Sequence, residues 1–159
     1  LFQIGDKIVY PMHGAGIVEA IEDKEVLGQT RQYCVIHMVI SDMQVMIPVD
    51  KVKSSGIRFV VDKDTLNDVL VDVHNGEPDH SLSWKQRYNI NMEKMKNGNL
   101  LDGAEVVRDL IHRNKERALN ASEKQMLDNA RRILVSEVAL VQDLSENQAT
   151  DFLQDTINH

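Results

Sequence analysis

The hydrophobic period of this chain changes once, near residue 56, and that change restricts the fold more than any other feature. Up to that point the pattern has the two-residue period of strands. "DKIVY" alternates and is followed by Pro11. "GIVEAIEDKEV" sets Ile17, Glu19 and Ile21 against Val18 and Ala20. "RQYCVIHMVI" is rich in β-branched and aromatic residues, and "MQVMIPV" is a further short run. Gly14, Gly16, Gly28 and the pair Ser41-Asp42 separate these runs, and all are turn formers. About four or five short antiparallel strands in so little chain predict a small, strongly bent sheet or barrel.

From residue 62 the period is helical. "DKDTLNDVLVDVHNG" sets Leu66, Val69, Leu70 and Val73 on one face and ends at Gly76. After the polar loop "NGEPDHS", Ser83 and Gln86 have capping-box spacing at the head of a helix that stops at Asn97-Gly98. Asn99 is placed to cap the next helix, whose stripe is Leu100, Ala104, Val107 and Leu110/Ile111. Ser122 and Gln125 suggest a second capping box, opening a stripe of Leu127, Ala130, Ile133/Leu134, Val138 and Val141. "NQATDFLQDTI" is a last amphipathic segment. The expected architecture is therefore α+β: an antiparallel β module over residues 1–56, then a compact all-helical bundle over 57–159.

Composition narrows the class. The chain is 42% hydrophobic, enough for a core. No run approaches the about 18 apolar residues of a membrane span. The opening "LFQIGDKIVY" lacks the basic-then-apolar form of a leader, and the single cysteine, Cys34, suits a reducing cytoplasm. A formal net charge of −7 argues against a polyanion as partner, but the charge is uneven. Residues 1–80 hold seven basic and thirteen acidic side chains, and residues 118–159 hold three and seven. Residues 81–117 hold eight basic and five acidic, and local field governs the steering of a polyanion more than total charge does.

Chemistry is poorly supported. The GxG of "YPMHGAGIV" is followed by strand-like residues and lacks a third glycine, so it reads as a hairpin turn rather than a dinucleotide cradle. None of the six histidines pairs as HxH or HExxH. His74, Asp79 and His80 of "HNGEPDH" match no strong ligand spacing and read as a solvated loop. Cys34, inside a β-rich run, reads as a core thiol. Carboxylates such as Asp109 and Glu116 are placed at i,i+4 from Arg113 and His112, as helix-surface pairs. No catalytic residue, metal site, cofactor or small-molecule substrate is expected.

The one tryptophan is ambiguous. Trp84, Tyr88, Met92 and Met95 recur at helical spacing, which favours a core-facing stripe. If Ser83 caps, however, Trp84 is the first helical residue, where free N–H groups and the positive dipole end attract phosphate, with Lys85 and Arg87 alongside. An aromatic ring so flanked can wedge at a base step or stack on an unpaired base.

Four further strings belong together. They are Ile4-Gly5-Asp6 with Val9-Tyr10-Pro11 and His13-Gly14; Trp84 with Arg87-Tyr88; Ala104 through Leu110; and Glu116-Arg117 through Leu140. In this combination, which spans nearly the whole chain, the sequence resembles the CarD/CdnL family of bacterial transcription regulators. The resemblance implies a Tudor-like N-terminal module that docks on the protrusion lobe of the RNA polymerase β subunit. It implies a helical module that lies against promoter DNA at the upstream edge of the transcription bubble, where the residue matching Trp84 wedges into the minor groove and stabilises the open complex. It also implies phosphate contacts from Arg87 and Lys124, with Lys85 as an added basic neighbour. Two polymerase-facing positions that are arginine in some members are Lys24 and Met46 here, and Met46 cannot form an ion pair. Asn89 and Gln86 replace basic residues of some relatives. The partners so implied are RNA polymerase and promoter DNA, for a cytoplasmic, monomeric protein. A polymerase adaptor that makes no direct DNA contact is the alternative, favoured by the acidic total.

Overall fold

The computed structural model describes residues 2–157. The β module holds β1 (Lys7–Tyr10), β2 (Gly14–Val26), β3 (Gln29–Met38) and β4 (Gln44–Pro48). These are followed by the one-turn helix α1 (Val49–Val52), a 3-10 turn (Lys53–Ser55) and the two-residue strand β5 (Arg58–Phe59). All pairings are antiparallel, in the order β4-β3-β2-β1-β5. The sheet is thus a four-strand meander extended at β1 by β5. β5 lies beyond residue 56, so the sheet takes two residues from the segment that the period assigned to the bundle.

Two local features shape the sheet. A bulge between Val18 and Ala20 reverses the alternation of β2, so Ile21, opposite Cys34, shares the sheet face of Val18, opposite Ile36. At Gly16 an added Cβ would lie 2.7 Å from the His37 carbonyl oxygen, so β2 and β3 approach there as only glycine permits. The core beneath the sheet is Ile8, Val18, Cys34, Ile36, Met38, Ile47 and Val52. Cys34 is thus a core thiol, and burial pushes its pKa up.

The bundle comprises α2 (Lys63–Asn75), α3 (Trp84–Asn97), α4 (Leu100–Glu116), α5 (Ala121–Gln142) and α6 (Glu146–Ile157). Its core gathers the expected stripes, including Leu66, Leu70 and Val73 of α2, Ala104, Val107 and Leu110 of α4, and Leu127, Ala130, Leu134 and Val138 of α5. α5 packs against α2, α4 and α6, and also against β2, which makes it the element common to both modules.

The caps follow the sequence at α3 and α4, depart from it at α5, and at α2 add one the sequence reading did not name. Asp62 caps α2 by accepting from the Thr65 N–H, Asn99 caps α4, and Ser83 with Gln86 forms the capping box of α3. α5 is capped by Asn120, which accepts from the Glu123 N–H, so the expected box at Ser122 and Gln125 is not the start. Asn120 precedes Ser122 and satisfies the same kind of orphan donor two residues earlier. The expected i,i+4 surface pairs are also replaced. Asp109 accepts from the Arg108 Nε at 2.9 Å, and Glu116 lies 3.7 Å from His80 across the loop. Arg108 is buried and donates to the Val73 carbonyl at the end of α2, which draws its guanidinium and its acid partners inward.

Candidate nucleic-acid interface

The site is built from two helix starts. At the head of α3, the Ser83 N–H donates to Gln86 Oε1 at 3.0 Å and Ser83 Oγ accepts from the Gln86 N–H at 3.3 Å. Trp84 is therefore the first helical residue, at the positive end of the helix dipole. Its side chain is turned outward, and the residue keeps 48% of its accessible surface. Along the stripe, burial increases away from this end: Tyr88 and Met92 are partly buried and Met95 is buried. The helical spacing marks one face correctly, but the core ends before that face does. Tyr88 supports the indole edge-on, with ring centroids 6.5 Å apart.

The second helix start is that of α5. Glu123, at its first turn, is buried, and its carboxylate accepts from Arg87 Nε at 2.8 Å and from a terminal Arg87 nitrogen at 3.1 Å. This fork binds the first turn of α3 to the first turn of α5. Arg87, expected at phosphate, instead has its side chain only 13% exposed and its guanidinium engaged by Glu123. The physical reason is angular: Arg87 is one turn on from Trp84 but rotated toward α5. Lys85 and Lys124 differ. Both are exposed, and among the described residues neither side chain forms an ion pair or hydrogen bond. The structure thus brings an outward indole and two unpaired ammonium groups to a pair of helix N-termini. Beside them a groove of about 240 Å³ runs between α3 and α5, lined by Tyr88, Met92, Met126 and Met12.

The two polymerase-facing candidates lie elsewhere, in the β module. Lys24 is opposite Arg31 and Met46 is opposite Val35, four residues away along β3, or about 13 Å at strand rise. Alternation puts both on one face of the sheet without bringing them together. Lys24 is 3.4 Å from Glu22, and Met46 is exposed on the edge strand β4.

Sequence reasoning missed the polar junction between the modules. Glu137 of α5, 2% exposed, accepts from Arg58 of β5 through both carboxylate oxygens, at 2.9 and 2.7 Å, and from the Val61 N–H at 3.1 Å. One residue earlier, Ser136 Oγ accepts the Ala15 N–H at 2.8 Å. The available signal was in the run Ile133–Leu140, "ILVSEVAL", where two polar residues interrupt an apolar stretch.

Among the described residues no three His, Cys, Asp or Glu side chains gather as metal ligands, and no helix is long and apolar enough to cross a membrane. Asp79 accepts from the Ser81 N–H and hydroxyl, bonds that hold its carboxyl below the usual carboxylate range, while His80 turns toward Glu116.

Residues 2–61 match the family model of the CarD-like/TRCF RID domain, and residues 68–154 match that of the CarD C-terminal domain. A putative transcription factor of Bacillus subtilis (strain 168), YdeB, is 55% identical over 152 residues, covering 96% of this chain and 99% of the relative. Among solved structures, the 72-residue N-terminal domain of Myxococcus xanthus CarD, determined in solution by NMR, is 36% identical. That match covers 36% of this chain and 77% of the other, with a TM-score of 0.32. With both modules matched in order and a relative aligned along nearly its whole length, the chain belongs to the CarD family.

Proposed function

We propose that this protein is a transcription-initiation regulator that docks on the RNA polymerase β subunit through its β module and contacts promoter DNA at the upstream edge of the bubble through the start of α3. The observation that carries the reading is Trp84: an indole turned outward at a capped helix N-terminus, with unpaired Lys85 and Lys124 beside it. Promoter melting is an unfavourable equilibrium, and a protein shifts it only by its differential affinity for the open form. A ring that inserts where base pairs have parted supplies that difference, and the two lysines and free N–H groups hold the flanking phosphates. Arg87 does not join them in this reading; it fixes the platform through Glu123.

Tethering to polymerase makes a weak DNA contact sufficient, because the second contact is then intramolecular. That reconciles the formal charge of −7 with a polyanion as partner. Lys24 and Met46 mark the sheet face assigned to the β-subunit lobe, and the protein acts as a cytoplasmic monomer with no cofactor and no enzymatic step.

The test is the decay of polymerase–promoter open complexes. Wild-type protein lengthens their lifetime; Trp84→Ala binds polymerase equally well and removes the gain. Full lifetime with Trp84→Ala refutes the wedge. The acidic total favours one other reading, an adaptor on polymerase that does not touch DNA; a footprint with no protection upstream of the bubble supports that reading instead.

A further inference from the structure

The helix that presents Trp84 is gripped at its other end by the β module. α3 ends at Gly98, which has φ +73°, and an added Cβ there would lie 2.7 Å from Pro11 Cγ, in the turn between β1 and β2. On its other side Gly98 is held by Arg58, whose Nε donates to the Gly98 carbonyl at 2.8 Å. Both terminal nitrogens of the Arg58 guanidinium are also engaged: one donates to the Phe59 carbonyl and to Glu137, the other to Glu137. Three elements distant in sequence, β5, the end of α3 and the middle of α5, therefore meet on a single side chain.

We infer that the Arg58–Glu137 pair is a positioning clamp that fixes the angle of α3 to the sheet, and so sets where Trp84 stands relative to the polymerase-docking face. This rests on the reading of Trp84 as the DNA contact. The geometry explains why a clamp is needed. Fourteen helical residues span about 21 Å, so a tilt of about 15° at Gly98 moves Trp84 by about 5 Å. The rise of one base step is about 3.4 Å, so such a tilt misses the intended step. A tethered contact gains effective concentration only if its two ends reach their sites together.

The chemistry of the clamp suits the task. A planar guanidinium meets a carboxylate in one orientation, whereas apolar surfaces slide. Glu137 has no solvent to turn to, and its third bond, from the Val61 N–H, ties the linker between the modules to the same point. Arg58 and Glu137 are remote in the fold from Lys24 and Met46: β5 is at one edge of the sheet and β4 at the other.

The experiment uses the full chain and two substitutions, Arg58→Lys, which keeps the charge but loses the fork, and Glu137→Gln. Nitroxide labels on Thr30→Cys, near the tip of the β2–β3 hairpin, and Asn89→Cys, on α3, report the distance between the modules by electron–electron double resonance. Both positions are exposed, and buried Cys34 stays unlabelled. Circular dichroism confirms folding, and Arg58→Lys serves if Glu137→Gln does not fold. The expected result is one narrow distance distribution in the parent and a broadened one in each clamp variant. With unlabelled protein, the clamp variants keep their polymerase affinity but lose most of the open-complex lifetime gain. A distribution as narrow as the parent's overturns the clamp. A broadened distribution with full lifetime overturns its positioning role. If Trp84→Ala itself retains full lifetime, the wedge falls and the positioning role with it, while the distances still decide whether the pair holds the modules.

Discussion

Replacing Glu123 by glutamine tests the platform beneath Trp84 most directly. The Glu123 side chain is 3% exposed, and both of its oxygens accept charge-assisted bonds from Arg87. Glutamine keeps one acceptor and turns an amide donor toward a guanidinium donor. Breaking one side of a buried pair strands the other charge and costs about 3–5 kcal/mol; the acceptor that remains puts this change at the low end, about 3 kcal/mol. With a urea slope of about 2 kcal/mol per molar, the unfolding midpoint falls by about 1.5 M. Glu93→Gln is the control. Its partner Lys96 is 3.9 Å away and both side chains are largely in water, so its effect lies between about 0 and 1 kcal/mol. A double variant, Arg87→Gln with Glu123→Gln, removes the stranded charge and recovers part of the loss. If Glu123→Gln shifts the midpoint no further than Glu93→Gln, the pair does not hold α3 to α5.

Other expectations follow from single residues. Gly98→Ala meets both a left-handed backbone and Pro11, whereas Gly28→Ala, at φ +77°, meets no atom within 4 Å. Gly28→Ala therefore costs about 1 kcal/mol and Gly98→Ala about twice that; equal losses in urea melts mean Pro11 yields freely. The thiol of Cys34, held protonated by burial, reacts with an aromatic disulfide reagent far more slowly than free cysteine at pH 8, and reaction at the free rate contradicts its place in the core. The Thr65 N–H holds the Asp62 carboxyl below the usual range. Because the folded value is lowered, Asp62's contribution to α2 is complete above about pH 4–5 and is lost as pH falls through the folded value. The Thr65 amide resonance tracks that titration, and an unchanged titration in Asp62→Asn assigns it to another group.

What could be read from sequence was what is local. The alternation of β1 to β4, the stripes of α2, α4 and α5, and the caps at Ser83 and Asn99 each depend on residues a few positions apart, and each has its counterpart in the structure. The cap of α5 shows the limit of such signals, since Asn120 and Ser122 are both competent and only packing selects between them. Longer-range features left little trace. Arg87 looked like a free cation because its partner is 36 residues away, and Arg58 meets Glu137 across 79. Two-residue β5 has no period at all. Trp84 lies between these cases: spacing shows which face it shares, but where the core ends is decided by α5.

The sequence separation at the Arg58–Glu137 junction also bears on how the protein is made. β5 pairs with β1 and completes the sheet once residue 59 has formed, but the carboxylate that neutralises Arg58 comes 79 residues later, and the hydroxyl that takes the Ala15 N–H comes 121 residues after its donor. At ribosomal rates of about 5–20 residues per second, the finished sheet waits about 4–16 s for α5. During that wait the surface to be covered presents a guanidinium and a backbone N–H, both of which water satisfies. A purely greasy seam in the same place would leave the nascent chain open to association with its neighbours.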